Sequence, residues 1–309
     1  MPSTLVITGP TGVGKTRVAT ALARRAAVEI VSADSRQLYR GLDIGTAKPS
    51  AAERAAAAYH GLDLIAPAER YSAGRYAAEA GGWIAGIVAR GNLPLVVGGT
   101  GFYLKALFEG LFSEPPLDAA RRRRLGAALR RLDRAALGRW AARLDPAFRG
   151  GGAQRAARAV EVALLAGRPL SEWQRAAPAR PSGLEPWYAV LTLPRPALAA
   201  RIAERTRAML EAGLVAEVRG LLVAGVPRDA PGLSGVGYRE VLAHLDGALA
   251  AEQLAPQIAA ATRRYAKRQE TWLRHQLKRP AVWLDAAGEP DALAREVLAR
   301  YRAAAFGAL

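Results

Sequence analysis

The sequence predicts an α/β protein: a parallel sheet flanked by helices, interrupted by a helical insertion and followed by a helical C-terminal region. Three observations predict this. Short apolar runs alternate with helical patterns through the first third of the chain, the rhythm of βαβ units. A glycine-rich segment follows the first apolar run and opens a helix. A strand-poor stretch rich in Ala, Arg and Leu then separates this part from a later apolar run that returns to the sheet.

The strand candidates of the first third are Leu5–Thr8, Ile30–Ala33 and Leu95–Gly98, each followed by glycine-rich or polar turns. Residues 15–27 and 72–90 carry helical periodicity. Pro115-Pro116 closes this region. From Asp118 to Pro178 the pattern is helical, broken by Pro146 and by Gly150-Gly151-Gly152. Pro178, Pro181 and Pro186 bracket a linker, and Trp187–Leu193 reads as a returning strand. Helices are expected over 196–224, 237–247 and 251–277, then a strand at Val282–Leu284 and a terminal helix. The division expected is a core of residues 1–114 and 182–309 with an insertion of residues 115–181. No internal repeat is visible.

Composition narrows the classes of function. No run of about 18 apolar residues exists, so no membrane-spanning helix is expected. Met1-Pro2-Ser3 leads straight into Leu5-Val6-Ile7, which reads as a first strand rather than a targeting segment. Cysteine is absent, which excludes disulfides and thiolate metal sites and fits a reducing cytoplasm. His60, His244 and His275 are scattered, which argues against a histidine metal cluster. The net charge of +17 favours a polyanionic partner, nucleic acid first, although a GC-rich genome, which enriches Ala, Arg and Gly, would also raise it. Lysine stands only at Lys15, Lys48, Lys105, Lys267 and Lys278, against 39 arginines. Where arginine is the default, a lysine marks a place needing a compact ammonium, and Lys15 fits that idea. No apolar surface helix calls for a partner, so a monomer is expected.

Gly9-Pro10-Thr11-Gly12-Val13-Gly14-Lys15-Thr16 matches G-x-x-x-x-G-K-[ST] in full, which makes the sheet P-loop-type. Glycines let successive backbone N–H groups turn inward around phosphate oxygens, and the helix start adds partial positive charge. Lys15 supplies a point charge and Thr16 a hydroxyl for Mg²⁺. The motif specifies a di- or triphosphate without saying which. Asp34 ends the second strand at the carboxyl edge, where ligands bind in open parallel sheets. It could hold a metal, act as a base, or cap a turn. Thr100, after Gly98-Gly99, presents a hydroxyl at the same edge or caps a turn.

With these blocks stand others: Asp34-Ser35-Arg36-Gln37-Leu38-Tyr39, Asp43-Ile44-Gly45-Thr46-Ala47-Lys48-Pro49, Gly235-Val236-Gly237-Tyr238-Arg239-Glu240, and Arg264-Tyr265-Ala266-Lys267-Arg268-Gln269-Glu270-Thr271-Trp272. In this order the chain resembles the bacterial tRNA dimethylallyltransferases from its first strand to about Arg274. The resemblance implies transfer of a dimethylallyl group from dimethylallyl diphosphate to N6 of the adenosine 3′ to the anticodon, with Mg²⁺. It implies that Gly9–Thr16 holds the prenyl diphosphate rather than ATP. By the same resemblance Asp34 is the base at the adenine amine, Thr100 positions that amine, and Arg205 binds the leaving diphosphate beside Lys15. The segments matching tRNA contacts are Asp34-Ser35-Arg36-Gln37, Arg122, Gln154 and Arg155 through Arg158, Ser234-Gly235-Val236-Gly237-Tyr238-Arg239, and Lys267-Arg268-Gln269 with Thr271, Trp272 and Arg274. The chain departs from the family in one place: Gly150-Gly151-Gly152-Ala153 stands where a polar pair usually precedes Gln154.

The residue types suit that chemistry. Loss of diphosphate requires positive charge around it, from Lys15, loop N–H groups, Mg²⁺ and an arginine. Arg201 and Arg205 lie four apart on one helical face, although such a pair can equally be solvated. An adenine amine becomes acidic only as its bond to carbon forms, and a nearby carboxylate can take the proton. The base must leave its stack to reach a buried site. Over 256–278, Ile258, Thr262, Tyr265, Gln269 and Trp272 form one stripe. Arg264, Lys267, Arg268, Thr271, Arg274, His275 and Lys278 lie mostly opposite. That pattern suits an RNA-tracking helix or an ordinary core-facing one. Arg121–Arg124 with Arg130, Arg131 and Arg134 gives a second basic surface. Competing readings are a small-molecule P-loop kinase, a prenyltransferase acting on free AMP or ADP, and a non-catalytic nucleotide-sensing RNA binder.

Overall fold

The computed structural model describes residues 3–111, 117–176, 182–277 and 281–306. Pro115-Pro116, Pro178, Pro181 and Lys278, singled out above, lie outside the described residues. The chain divides into two compact units, Met1–Phe108 with Ser182–Leu309, and Glu109–Pro181.

The first unit is built on six parallel strands in the order β3-β2-β4-β1-β5-β6. These are β1 (Ser3–Thr8), β2 (Val28–Ser32), β3 (Tyr59–His60), β4 (Leu93–Val97), β5 (Glu185–Thr192) and β6 (Ala281–Asp285). Alternate strand residues face opposite sides. Leu5 and Ile7 join one core with Val18 and Leu22 of helix α1 (Lys15–Ala23) and Val297 of α13 (Pro290–Phe306). Val6, Val31, Val96 and Val190 are just as buried, as strands covered on both faces require. The chain leaves β1 through α1 towards β2, beyond β4, and leaves β4 towards β5, on the other side of β1. Their connections thus diverge, which opens a crevice at the carboxyl ends of β1 and β4.

The remaining helices of this unit are α2 (Ala51–Ala55), α3 (Ala73–Ala89), α4 (Gly101–Glu109), α9 (Arg195–Glu211), α10 (Leu214–Val223), α11 (Tyr238–Leu245) and α12 (Ala251–Gln276), with a 3₁₀ turn at Gly232–Ser234. One expectation is corrected. The single helix over 196–224 is two helices, because Gly213 adopts a left-handed φ of 98° that breaks the run. The two-residue edge strand β3 and helix α4 carry too short or too uniform a pattern to be read by periodicity.

The second unit holds α5 (Ala119–Leu129), α6 (Arg134–Leu144), α7 (Ala153–Ala166) and α8 (Leu170–Ala176) around a small core of Leu129, Leu137, Ala141, Ala159 and Val160. Asp118 and Asp133 cap α5 and α6 by accepting from Arg121 N and Ala136 N, both at 2.6 Å. The carboxylate of buried Asp145 accepts from Ser171 N (2.9 Å) and Ser171 Oγ (2.6 Å). Burial alone would raise its pKa; these bonds outweigh burial and hold it below the usual range.

Glu29 of β2 is buried and accepts from Arg90 Nε (2.8 Å) and Nη2 (2.7 Å) and from Asn92 Nδ2 (2.8 Å), with His60 Nε2 also at 2.8 Å. The Arg90 bonds come first in holding its carboxyl well below the usual range. A depressed folded-state pKa contributes stability above the unfolded value of 4.5, which is lost as pH falls below it. The urea midpoint should therefore begin to drop near pH 4.5 and keep dropping as the pH falls further. Arg90→Met should lower the midpoint at neutral pH and flatten this acid limb. An unchanged acid limb in that variant would show that the pair does not set it.

Candidate active site

The loop Gly9–Gly14 leaves β1 at the crevice and ends as α1 begins. Gly9, Gly12 and Gly14 have φ of 145°, 84° and 105°, values that exclude most side chains. A Cβ on Gly9 would also stand 2.4 Å from Leu191 O. Lys15 Nζ donates to Gly9 O (3.0 Å) and Pro10 O (2.9 Å). Burial pulls its pKa down to about 8, opposed by Asp34 and reinforced by Arg205. Arg205 is likewise lowered by burial, with Asp34 opposing. Four residues earlier on α9, Arg201 donates to Val13 O and Ala286 O, both at 3.1 Å, so it braces the loop from behind.

The turn after β4 closes the other side. A Cβ on Gly98 would lie 2.2 Å from Ala33 O, which fixes glycine there. Thr100 Oγ1 accepts from Ser35 N at 3.0 Å and donates to Ser35 Oγ at 3.4 Å, and burial pushes the pKa of nearby Tyr265 up to about 12. Asp34 accepts from Arg36 N at 2.8 Å, a local turn bond that uses one carboxylate oxygen.

Gln269 of α12 joins the two turns. Its Oε1 accepts from Thr11 N and its Nε2 donates to Gly99 O, both at 2.8 Å. The side chain is buried, and a Cβ on Gly99 would lie 2.4 Å from Nε2. Trp272, one turn later, occupies the space where Gly101 would carry a Cβ, 2.2 Å away. Both residues were expected on the tRNA-contacting segment. Their side chains pack against the phosphate loop and the β4 turn, while Lys267, Arg268, Thr271 and Arg274 are exposed.

Asp34 lines three cavities, the smallest a pocket of about 30 Å³ shared with Lys15, Thr16 and Gln37. A cleft of about 1010 Å³ holds Thr11, Gly12, Lys15, Thr16, Asp34, Lys48, Arg201 and Arg205. A second cavity of about 320 Å³ holds Asp34, Ser35, Arg36, Arg205, Ser234–Arg239, Thr262, Tyr265 and Arg268. The cleft is a basic cradle suited to a polyanion. The second, walled by Tyr265 and Ile258 with polar groups around them, suits a flat polar ring. Among the described residues no group of three or more His, Cys, Asp or Glu could hold a metal ion. Thr16 and Asp34 offer hard oxygens beside the cradle, a donor set that fits a divalent cation sharing its shell with phosphate and water.

An IPP transferase family model matches residues 37–276, and an isopentenyl transferase model matches residues 2–58. The chain belongs to the IPP transferase family. It is 45% identical to the tRNA dimethylallyltransferase of Anaeromyxobacter sp. strain K over 95% of this chain and 96% of that one. It is 48% identical to that of Halorhodospira halophila over 88% and 90%. Among solved structures it is similar to the full-length tRNA isopentenylpyrophosphate transferase of Bacillus halodurans, with a TM-score of 0.72, 32% identity and 97% of each chain covered. It is also similar to a eukaryotic dimethylallyltransferase acting on tRNA, with a TM-score of 0.75 and 26% identity over 93% of this chain and 74% of that one.

The family's other blocks also come together in the first unit. Arg36 Nη1 donates to Pro231 O (2.9 Å) and Ser234 Oγ (3.1 Å), which ties the Asp34 loop to Ser234–Arg239. Gln37 Nε2 donates to Ala47 O at 3.1 Å. Tyr238 is buried, and its hydroxyl donates to Glu217 Oε1 at 2.7 Å. Glu217 also accepts from the backbone of Asp43 (2.8 Å), Ile44 (2.6 Å) and Gly45 (3.2 Å). Lys48 is a buried ion pair rather than a ligand hand: its ammonium contacts Asp43 at 2.6 Å and Asp63 at 2.5 Å. In the second unit, Arg122 and Arg158 both pair with Glu161, while Gln154 and Arg155 stand exposed on the first turn of α7.

The sequence reading missed Glu217 and gave Tyr265 no place in the site. Glu217 had a local signal, a lone acid among Leu214, Val218 and Leu221. Nothing local could join Gln269 to Thr11. Removing the Gln269 amide leaves the half-buried Thr11 N–H and the buried Gly99 carbonyl unpaired. Gln269→Ala should therefore weaken calorimetric binding of inorganic pyrophosphate by about tenfold. Equal affinity would show that the clamp does not set the loop's shape.

Proposed function

We propose that this protein transfers the dimethylallyl group of dimethylallyl diphosphate to N6 of the adenosine 3′ to the anticodon in tRNA, releasing diphosphate. The observation that carries this reading is Asp34 in the wall common to two cavities, with Lys15 and Arg205 at the phosphate loop on one side and Tyr265 on the other. The names of the relatives support the substrate pair.

The prenyl diphosphate lies in the cradle with its phosphates on the loop N–H groups, Lys15 and Arg205. The adenine enters from the smaller cavity. The N6 lone pair attacks the first prenyl carbon as the carbon–oxygen bond to diphosphate breaks. The N6 proton passes to the free Asp34 oxygen, and Thr100 positions the amine. Lys15, Arg205 and the loop amides stabilise charge that grows on the leaving group. Thr16 would hold Mg²⁺, which would supply further neutralisation of the diphosphate. No helix among the described residues is long and apolar enough to cross a membrane, in keeping with action on tRNA in the cytoplasm. The exposed basic face of α12, the Arg121–Arg124 run, Arg122, and Gln154 to Arg158 form the surfaces for the tRNA backbone.

With an anticodon stem-loop and labelled dimethylallyl diphosphate, the purified protein should yield a prenylated adenosine and consume no ATP. ATP turnover without a prenylated nucleoside would sink the reading. Asp34→Ala should lower turnover by about a hundredfold or more while stem-loop affinity persists. Lys267→Ala should weaken stem-loop binding and reduce the slope of log K against log salt by about one, with pyrophosphate affinity unchanged.

A further inference from the structure

Pro10 of the phosphate loop also lines a separate cavity of about 350 Å³. This cavity shares no lining residue with the three that meet at Asp34. It lies where β5 and β6 end beside α12. Three cations line it, Arg195, Lys267 and Arg274, against one acid, Glu270. Neither Arg195 nor Lys267 forms an ion pair among the described residues. Its aromatic wall is Trp283 of β6, which keeps 42% of its surface exposed. The Arg274 guanidinium sits over that ring, 5.8 Å from its centroid.

An exposed indole on an edge strand calls for an account, since burial would be favourable by a few kcal/mol. A core role fails because the ring is open to solvent. An apolar partner fits poorly with the excess of positive charge around it. An aromatic face next to unpaired cations is the arrangement that grips an unstacked nucleotide, with the base on the ring and the phosphate on the cations. The volume is at the low end of the range for small ligands, about 300–1,000 Å³, which is the scale of one nucleotide.

We propose that this cavity seats a second unpaired nucleotide of the tRNA, distinct from the adenosine that is modified. Its base stacks on Trp283 and Arg274, and its phosphate lies between Arg195 and Lys267. Glu270 offers an acceptor to an amino or ring N–H of the base. The seat adjoins the phosphate loop through Pro10, and Lys267 is two residues from Gln269. A nucleotide held there fixes the register of the RNA relative to the loop that holds the diphosphate. This inference rests on the tRNA reading and adds Arg195 and Trp283 to the residues that the family resemblance names.

The test is anisotropy of a fluorescein-labelled anticodon stem-loop bound to the wild-type protein, Trp283→Ala, Trp283→Phe and Arg195→Ala. Melting temperature and pyrophosphate affinity are measured on each variant. Trp283→Ala should weaken stem-loop binding about tenfold, and Trp283→Phe should recover most of it. Arg195→Ala should weaken binding and lower the salt slope by about one. Melting and pyrophosphate affinity should stay at wild-type values. Stem-loop affinity unchanged in Trp283→Ala, or lost equally in Trp283→Phe with melting intact, overturns the proposal. Failure of the wild-type protein to bind the stem-loop would instead remove the tRNA reading beneath it.

Discussion

One side chain holds the site together. The amide of Gln269 bridges a backbone N–H of the phosphate loop and a backbone carbonyl of the turn after β4. These turns end adjacent strands whose connections diverge, so no local chain links them across the crevice. A buried amide with one donor and one acceptor engaged sets their spacing, and with it the width of the cradle. Gly99 is glycine because that amide lies against it, and Gly101 because Trp272 does. Two glycines of a short motif are thus dictated by a helix far along the chain.

The same helix separates two duties by face. Ile258, Ala266, Gln269 and Leu273 are buried against the sheet side, while Lys267, Arg268, Thr271 and Arg274 remain in solvent. An exposed basic side chain and the loop-positioning amide are therefore one residue apart in sequence. In the cleft, Arg205 disfavours the charge on Lys15, and the Asp34 carboxylate favours the charge on both. An anion entering the cleft relieves that repulsion.

Much of this was legible from residues alone. The β1 run and its glycine loop announce themselves, because a phosphate loop needs fixed spacing at a strand end. Asp34 and Thr100 could be placed at the carboxyl edge from strand periodicity, and the split core around a helical insertion followed from the loss of strand patterns after Asp118. What was not legible shares a cause. Gly213 breaks a helix that sequence periodicity carries straight through, because a glycine within an amphipathic run does not declare its φ. Tyr238 and Gln269 sit in motifs that resemble RNA contacts, yet their polar atoms are spent on Glu217, Thr11 and Gly99. Partners more than a hundred residues apart, as Thr11 and Gln269 are, leave no mark in local spacing.

The break at Gly213 has its own effect on the cleft. Arg205 belongs to α9 and Glu217 to α10, which packs back against it. Twelve residues of unbroken helix would set these two about 18 Å apart along the axis. Folded at the glycine, the pair instead reaches both the diphosphate cradle and the Asp43–Gly45 rim. The two helices therefore behave as a bent spanner gripping both jaws of the cleft. One residue added at the bend would rotate Glu217 off the rim while Arg205 kept its place, separating two halves of the site without touching either lining.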